Sequence, residues 1–218
     1  DPVGRDVLSR IVHGGRVSLG VGLVGTAVGA LVGVTLGVLA GYFGGRLDVA
    51  VMRVADVQLA FPFILLAITI AGVLGPSPRN IVLILAAGGW VVYARLTRGQ
   101  VLGLREKEFV EAARALGLGH VPLMLRHILP NVVTPIIVVA TFSVAQMILL
   151  ESSLSFLGLG VQPPTPSWGG MLSDGRGYIT VAWWLMTFPG AAIMLTVLGV
   201  NFVGDWLRDL LDPRLQSI

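Results

Sequence analysis

Residues that can do chemistry are sparse in this chain, and the densest group falls within residues 98–128. There Phe109, Ala112, Ala113 and Leu116 recur at i, i+3, i+4 and i+7, which makes one apolar helix face. Glu106, Glu108 and Glu111 stand in the early turns, where carboxylates favour the helix dipole. Gly117 and Gly119 follow as C-terminal stops. Pro122 suits the first turn of a second helix. The segment therefore predicts an amphipathic helix–turn–helix whose chemistry is recognition. Small Ala112 and Ala113 let another surface come close. Two readings stand: a docking element for a soluble partner, or a helix lying on a membrane surface.

The remaining polar residues exclude more than they offer. Lys107 is the only lysine, and no GxxxxGK[ST] surrounds it, so the chain has no P-loop to cradle ATP phosphates. His13, His120 and His127 form no metal-ligand cluster by spacing. No Ser/His/Asp grouping suggests nucleophilic catalysis. Cysteine is absent, which excludes disulfides and thiol chemistry. Glu151 lies where an apolar run ends, and a charge there is costly unless hydrated or paired. It either lines a substrate path or bonds to the adjoining loop. Asp174 and Arg176 share that loop, as solvated charges or as contacts for a partner or cargo. Trp168, Trp183 and Trp184 read as an aromatic belt in preference to a cargo site.

The elements that must position these residues are hydrophobic. Of the 218 residues 55% are apolar and 12% charged, about half the charge usual in soluble domains. Long uncharged gaps run from Arg16 to Arg46, Asp56 to Arg79, His127 to Glu151 and Arg176 to Asp205. Each is long enough for a bilayer-crossing helix. A shorter fifth gap, Arg79 to Arg95, ends at Trp90 and Tyr93, placed as interface anchors beside Arg95 and Arg98. The spans fall near 17–43, 57–76, 80–97, 129–150 and 182–204. Nothing in so small a chain would bury five all-apolar helices in water. No strand alternation suggests a barrel. The basic residues form no stripe for nucleic acid.

Arg46, Arg53, Arg95, Arg98, Arg105, Lys107, Arg114, Arg126, Arg208 and Arg214 fall on one side of the membrane, against Arg5, Arg10, Arg16, Arg79 and Arg176 on the other. The positive-inside rule makes the first side cytoplasmic. It puts the C-terminus and the loop 98–128 inside, and segments 1–16 and 157–181 outside. Residues 1–16 lack the apolar core of a signal peptide. The chain opens on Asp1, so further sequence is expected upstream. Glycine recurs at every fourth position from Gly25 through Gly29, Gly33, Gly37 and Gly41 to Gly45, a stripe for close helix packing that also suits a sliding contact. Pro62 and Pro189 lie inside spans and should bend them, as static kinks or as hinges.

With these residues in view, a family resemblance emerges. Glu111, Ala112, Ala113, Gly117, Leu129 and Pro130 resemble the EAA loop of bacterial ABC importer permeases, at that motif's spacing. His127 stands where the motif has Ile, with Ile128 beside it. Residues 4–19, 155–169 and 204–214 resemble the C-type subunit of dipeptide/oligopeptide and nickel permeases. The resemblance implies an all-α integral membrane domain over 1–218, in the bacterial plasma membrane. It implies six spans, one N-terminal helix more than the five read here. It also implies a coupling helix that seats Glu111, Ala112, Ala113, Leu116 and Gly117 in a cleft of an ATPase subunit. At Gly117 a backbone requirement of the turn is expected, where a β-carbon would clash. The implied partners are a homologous B-type permease subunit, two ATPase subunits that hold ATP and Mg, and an extracytoplasmic binding protein. No cofactor is expected in the chain itself. The implied function is import of dipeptides or oligopeptides, or of nickel. An ion-gradient-driven transporter and an intramembrane enzyme are the readings from other classes. The first lacks intramembrane acids and the second lacks a polar cluster at membrane depth.

Overall fold

A computed structural model describes residues 1–211. The described chain is helical. The first helix, α1 (Val7–Phe43), starts where Asp6 accepts the Ser9 amide at 2.6 Å and stops at Gly44, whose φ of 64° a side chain resists. Residues 7–16, expected as an external segment, are helical and continue the first span. Helix α2 (Gly45–Leu59) and α3 (Phe63–Leu74) follow, bent by 90° about residues 60–62. Helix α4 (Pro78–Leu104) opens on Ser77, whose hydroxyl accepts the Asn80 amide at 3.2 Å, with Pro78 in the first turn. The short α5 (Glu108–Ala115) and α6 (His120–Leu123) come next. A π-helical turn (Met124–Ile128) joins α6 to α7 (Leu129–Phe156). The three make one 37-residue rod from His120 to Phe156. Helix α8 (Trp168–Gly175) and α9 (Trp184–Leu211) complete the chain.

Four helices or rods (α1, α4, His120–Phe156 and α9) are long and apolar enough to cross a membrane, and the bent pair α2–α3 makes a fifth span. The second span thus differs from a single kinked helix over 57–76. Pro62 caps α3 and ends the chain's turn instead of sitting within a helix. Asp48, Arg53 and Asp56 interrupt the apolar run, yet α2 keeps them inside helix: Arg98 on α4 forks onto both Asp48 oxygens, and Arg95 reaches Asp56 at 2.5 Å. Arg95 and Arg98 therefore brace α2 against α4 and are not spent on a lipid interface. Trp90 and Tyr93 are buried rather than interfacial, and Trp90 Nε1 donates to Gln58 at 2.8 Å.

The glycine stripe explains why α1 packs along α4 more extensively than any other pair of helices. A methyl at Gly37 would stand 2.6 Å from the Ala94 carbonyl oxygen, and one at Gly33 would overlap the Trp90 carbonyl. Backbones this close exclude any side chain. Gly41 meets Val101 in the same way, while Gly45 has left the stripe to open α2. Helix α1 also meets the α7 rod: Gly22 packs on Ile148, and the Tyr42 hydroxyl lies 2.8 Å from His120 Nδ1. These pairings run α1 parallel to α4 and antiparallel to α7. One end of the bundle thus collects Phe43, residues 105–119 and the last turn of α9. The other collects residues 1–6, 75–77 and 157–183.

Candidate functional site

Helix α5 is short, and its position comes from one buried side chain. Val110 is fully buried in a cluster with Val101 of α4 and Leu123, Met124 and Ile128 of the rod. Ala113, one turn on, is half-buried against the same cluster. The rest of the face that the sequence marked as apolar is turned the other way. Phe109 is 43% exposed and Leu116 89% exposed, with Ala112 and Glu111 also open to solvent. The anchor was hidden because Val110 falls one position off the Phe109–Leu116 pattern. A helix apolar on two sides gives the sequence no way to choose which side faces inward.

The C-terminus of α5 closes on a left-handed residue. Gly117 has φ of 82°. Its amide donates to the Arg114 carbonyl at 3.0 Å and the Leu118 amide to the Ala113 carbonyl at 3.1 Å, the paired bonds of a Schellman turn. The space around Gly117 is open: an added β-carbon meets nothing within 4 Å. The expected backbone requirement is there in the sign of φ, because an L side chain in that region costs about 1–2 kcal/mol, and the crowding expected with it is absent. Glu108 and Glu111 occupy the first turn as expected, whereas Glu106 precedes the helix and pairs with Arg105 at 3.6 Å. Arg105 also donates to the Gly41 carbonyl at 3.1 Å, tying the loop to the end of α1. Glu111, Ala112, Leu116 and Gly117 thus form one open surface on a rigidly rooted helix, with Ala113 at its edge. Such a surface can receive a partner and transmit its motion into the bundle.

Glu151 and Asp174 lie at the opposite end and do not meet. Glu151 is fully buried, with Ser155 donating to it at 2.7 Å. Asp174 is half-exposed on α8, where Arg10 reaches it at 3.1 Å and Arg5 at 3.9 Å. A cavity of about 250 Å³ lies beside it, bordered by Arg5, Arg10 and Tyr178. Trp168 is buried, with Nε1 donating to the Ile11 carbonyl at 2.9 Å, so it belongs to no belt. Trp183 and Trp184 are exposed. At the α2–α3 elbow a larger cavity, about 460 Å³, is walled by Gln58, Phe61, Phe63, Gly88, Gln146 and Met147. Nothing in the sequence marked it, because it exists only where the elbow parts from α4 and α7. Among the described residues no group of three His, Cys, Asp or Glu side chains is placed to hold a metal.

Residues 33–217 match the family described as binding-protein-dependent transport system inner membrane component. The chain belongs to that family. It is a transport permease and a multi-pass inner-membrane protein. Over its whole length it is 48% identical to the dipeptide transport system permease protein DppC of Alkalihalophilus pseudofirmus, covering 71% of that protein. It is 46% identical to the di/tripeptide permease DppC of Pseudomonas aeruginosa and 45% identical to the glutathione permease GsiD of Escherichia coli, covering 72% of each. Its fold matches the inward-facing MetNI methionine ABC transporter with a TM-score of 0.75 at 18% identity, over 94% of this chain and 97% of that one. An amino acid ABC transporter matches with a TM-score of 0.69 at 16% identity, over 94% and 98% of the two chains. The described part of the tail that carried the resemblance, residues 204–211, ends α9 in helix. Asp212, Pro213 and Arg214 lie outside the described residues.

Proposed function

We propose that this permease is the C-type subunit of an ATP-driven importer of short peptides, forming half of the translocation path. Relatives at 45–48% identity along the whole chain carry dipeptides, di/tripeptides and glutathione by name, which supports a short peptide as cargo. The observation that carries the coupling role is the open face of α5, with Leu116 89% exposed on a helix that Val110 roots in the bundle. Glu111, Ala112, Ala113, Leu116 and Gly117 seat in an ATPase subunit on the cytoplasmic side. The C-terminus shares that side, and segment 157–181 is extracytoplasmic. ATP and Mg bind in two ATPase subunits, so hydrolysis occurs outside this chain. A homologous B-type permease completes the path, and an extracytoplasmic binding protein delivers cargo near Asp174. The neutral elbow cavity, with Gln58 and Gln146 as its amides, suits passage of a peptide whose side chains vary.

The test is uptake in proteoliposomes holding the assembled transporter. Enclosed ATP drives dipeptide accumulation, and collapsing all ion gradients leaves the rate unchanged. Accumulation that follows an imposed proton or sodium gradient without ATP contradicts the reading.

A further inference from the structure

Glu151 has no part in docking, yet it is the most completely enclosed charged residue among those described. Its carboxyl is a meeting point. Ser155 donates to Oε1 at 2.7 Å, and the Ser152 hydroxyl lies 3.5 Å from Oε2. Ser18 of α1 and Ser167, the N-cap of α8, stand near the same group. Three of these serines already accept from the backbone. Ser18 takes the Trp168 amide at 3.2 Å, Ser155 the Val161 amide at 3.3 Å and Ser167 the Gly170 amide at 3.1 Å. A hydroxyl that accepts from an amide still has one proton to give. The Ser155 proton goes to Glu151 and completes a hydrogen-bonded chain from the Val161 amide to the carboxyl, while Ser18 and Ser167 tie the Trp168 and Gly170 amides down beside it. A network closed in this way holds more firmly than its separate pairs.

Close packing follows the same path. A methyl at Gly169 would overlap the Ser152 carbonyl, and one at Gly160 would overlap Ser155. Segment 157–175 is thus keyed to α1 and α7 at a single buried point. The rod that carries Glu151 near one end carries His120 at the other, beside the docking loop. At 1.5 Å per residue the rod is about 55 Å long.

We propose that Glu151 is a positioning residue that locks segment 157–175 onto the α7 rod, so that this segment is carried as a gate when the docking loop moves. The source of motion rests on the docking reading of residues 98–128; the lock itself does not. Glutamate suits the position because both of its oxygens accept, whereas an amide would turn a donor toward serines that must donate.

The chain has no cysteine, so a cysteine introduced here is its one thiol, and labelling in the assembled transporter in membranes is read on this chain after it is resolved from its partners. Val161→Cys places a thiol at a buried position beside the lock. Glu151→Gln is expected to raise its labelling by an impermeant maleimide about tenfold, the factor that one lost hydrogen bond to a carboxylate carries. Ser18→Ala gives a smaller rise. Gln162→Cys, exposed from the start, labels at one rate in all three backgrounds. A Val161→Cys rate that neither substitution changes overturns the lock. Carriage is read with Glu151 intact. Spin labels at Leu149→Cys on α7 and Gln162→Cys on the segment keep one distance in the nucleotide-free and vanadate-trapped states. A distance that differs between the two states overturns carriage. Uptake in docking-loop variants tests the docking reading alone, so the two failures are told apart.

Discussion

Gly117 and Gly119 stand two positions apart and make different demands. Gly117 is left-handed, whereas Gly119 has φ of −66° and would place a β-carbon 3.8 Å from Pro122. Gly117→Val forces strain of about 1–2 kcal/mol into an eight-residue helix or unwinds its end. Membrane insertion should stay normal while peptide uptake falls by an order of magnitude or more, about what 1.4 kcal/mol carries. Gly119→Ala should retain uptake near the wild-type rate. Equal losses in the two variants, measured at matched membrane abundance, would remove the Schellman turn from the account. The sequence marked Gly117 as a stop, because glycine after an apolar helical pattern is a local signal. It also pointed to a backbone requirement there, but not to the open space around it, since open space is a property of the fold. Glu151 was legible as an anomaly and no further. Ser152 and Ser155 are its neighbours in sequence, but Ser18 and Ser167 reach it only through tertiary packing.

Between helices, the stripe from Gly25 to Gly41 was readable because a four-residue repeat keeps small residues on one drifting face. Gly33→Leu must separate α1 from α4, a change of at least about 1–3 kcal/mol for overpacking. It should lower the unfolding temperature of the purified transporter, while Gly20→Ala, which meets nothing within 4 Å, should not. Equal unfolding temperatures for wild type and Gly33→Leu would show that the α1–α4 contact is looser than the packing requires. The elbow between α2 and α3 was not readable. Charges at Asp48 and Asp56 placed the start of the span too late, because their partners Arg98 and Arg95 lie some forty to fifty positions away on α4. The Asp48–Arg98 pair is bidentate and only partly exposed. A double-mutant cycle with alanine at both positions should return a coupling of about 1 kcal/mol, the upper end for exposed pairs. A coupling near zero would mean that the elbow is held by packing alone.

Across the whole chain, topology links the two ends of the bundle by continuous rods. α1, α4 and the α7 rod run the length of the bundle, and residues 105–119 close the end opposite 157–183. The count of spans was legible from charge gaps because a bilayer leaves few alternatives for runs that long and apolar. Their extents were not, since helices continue beyond the lipid wherever caps such as Asp6 and packing allow. Residues 98–128 were legible as a helix–turn–helix, but the direction of α5 was not. Only the burial of Val110 shows that Phe109, Ala112 and Leu116 face away from the bundle.

The central claim, that this open face meets an ATPase, is tested most directly by proximity in the assembled transporter. A short photoactivatable cross-linker on Leu116→Cys should join this chain to the ATPase subunit, and the same reagent on Gln162→Cys should not. Cross-linking from Leu116→Cys to lipid alone, or labelling of that cysteine by an impermeant reagent outside intact cells, would contradict the account.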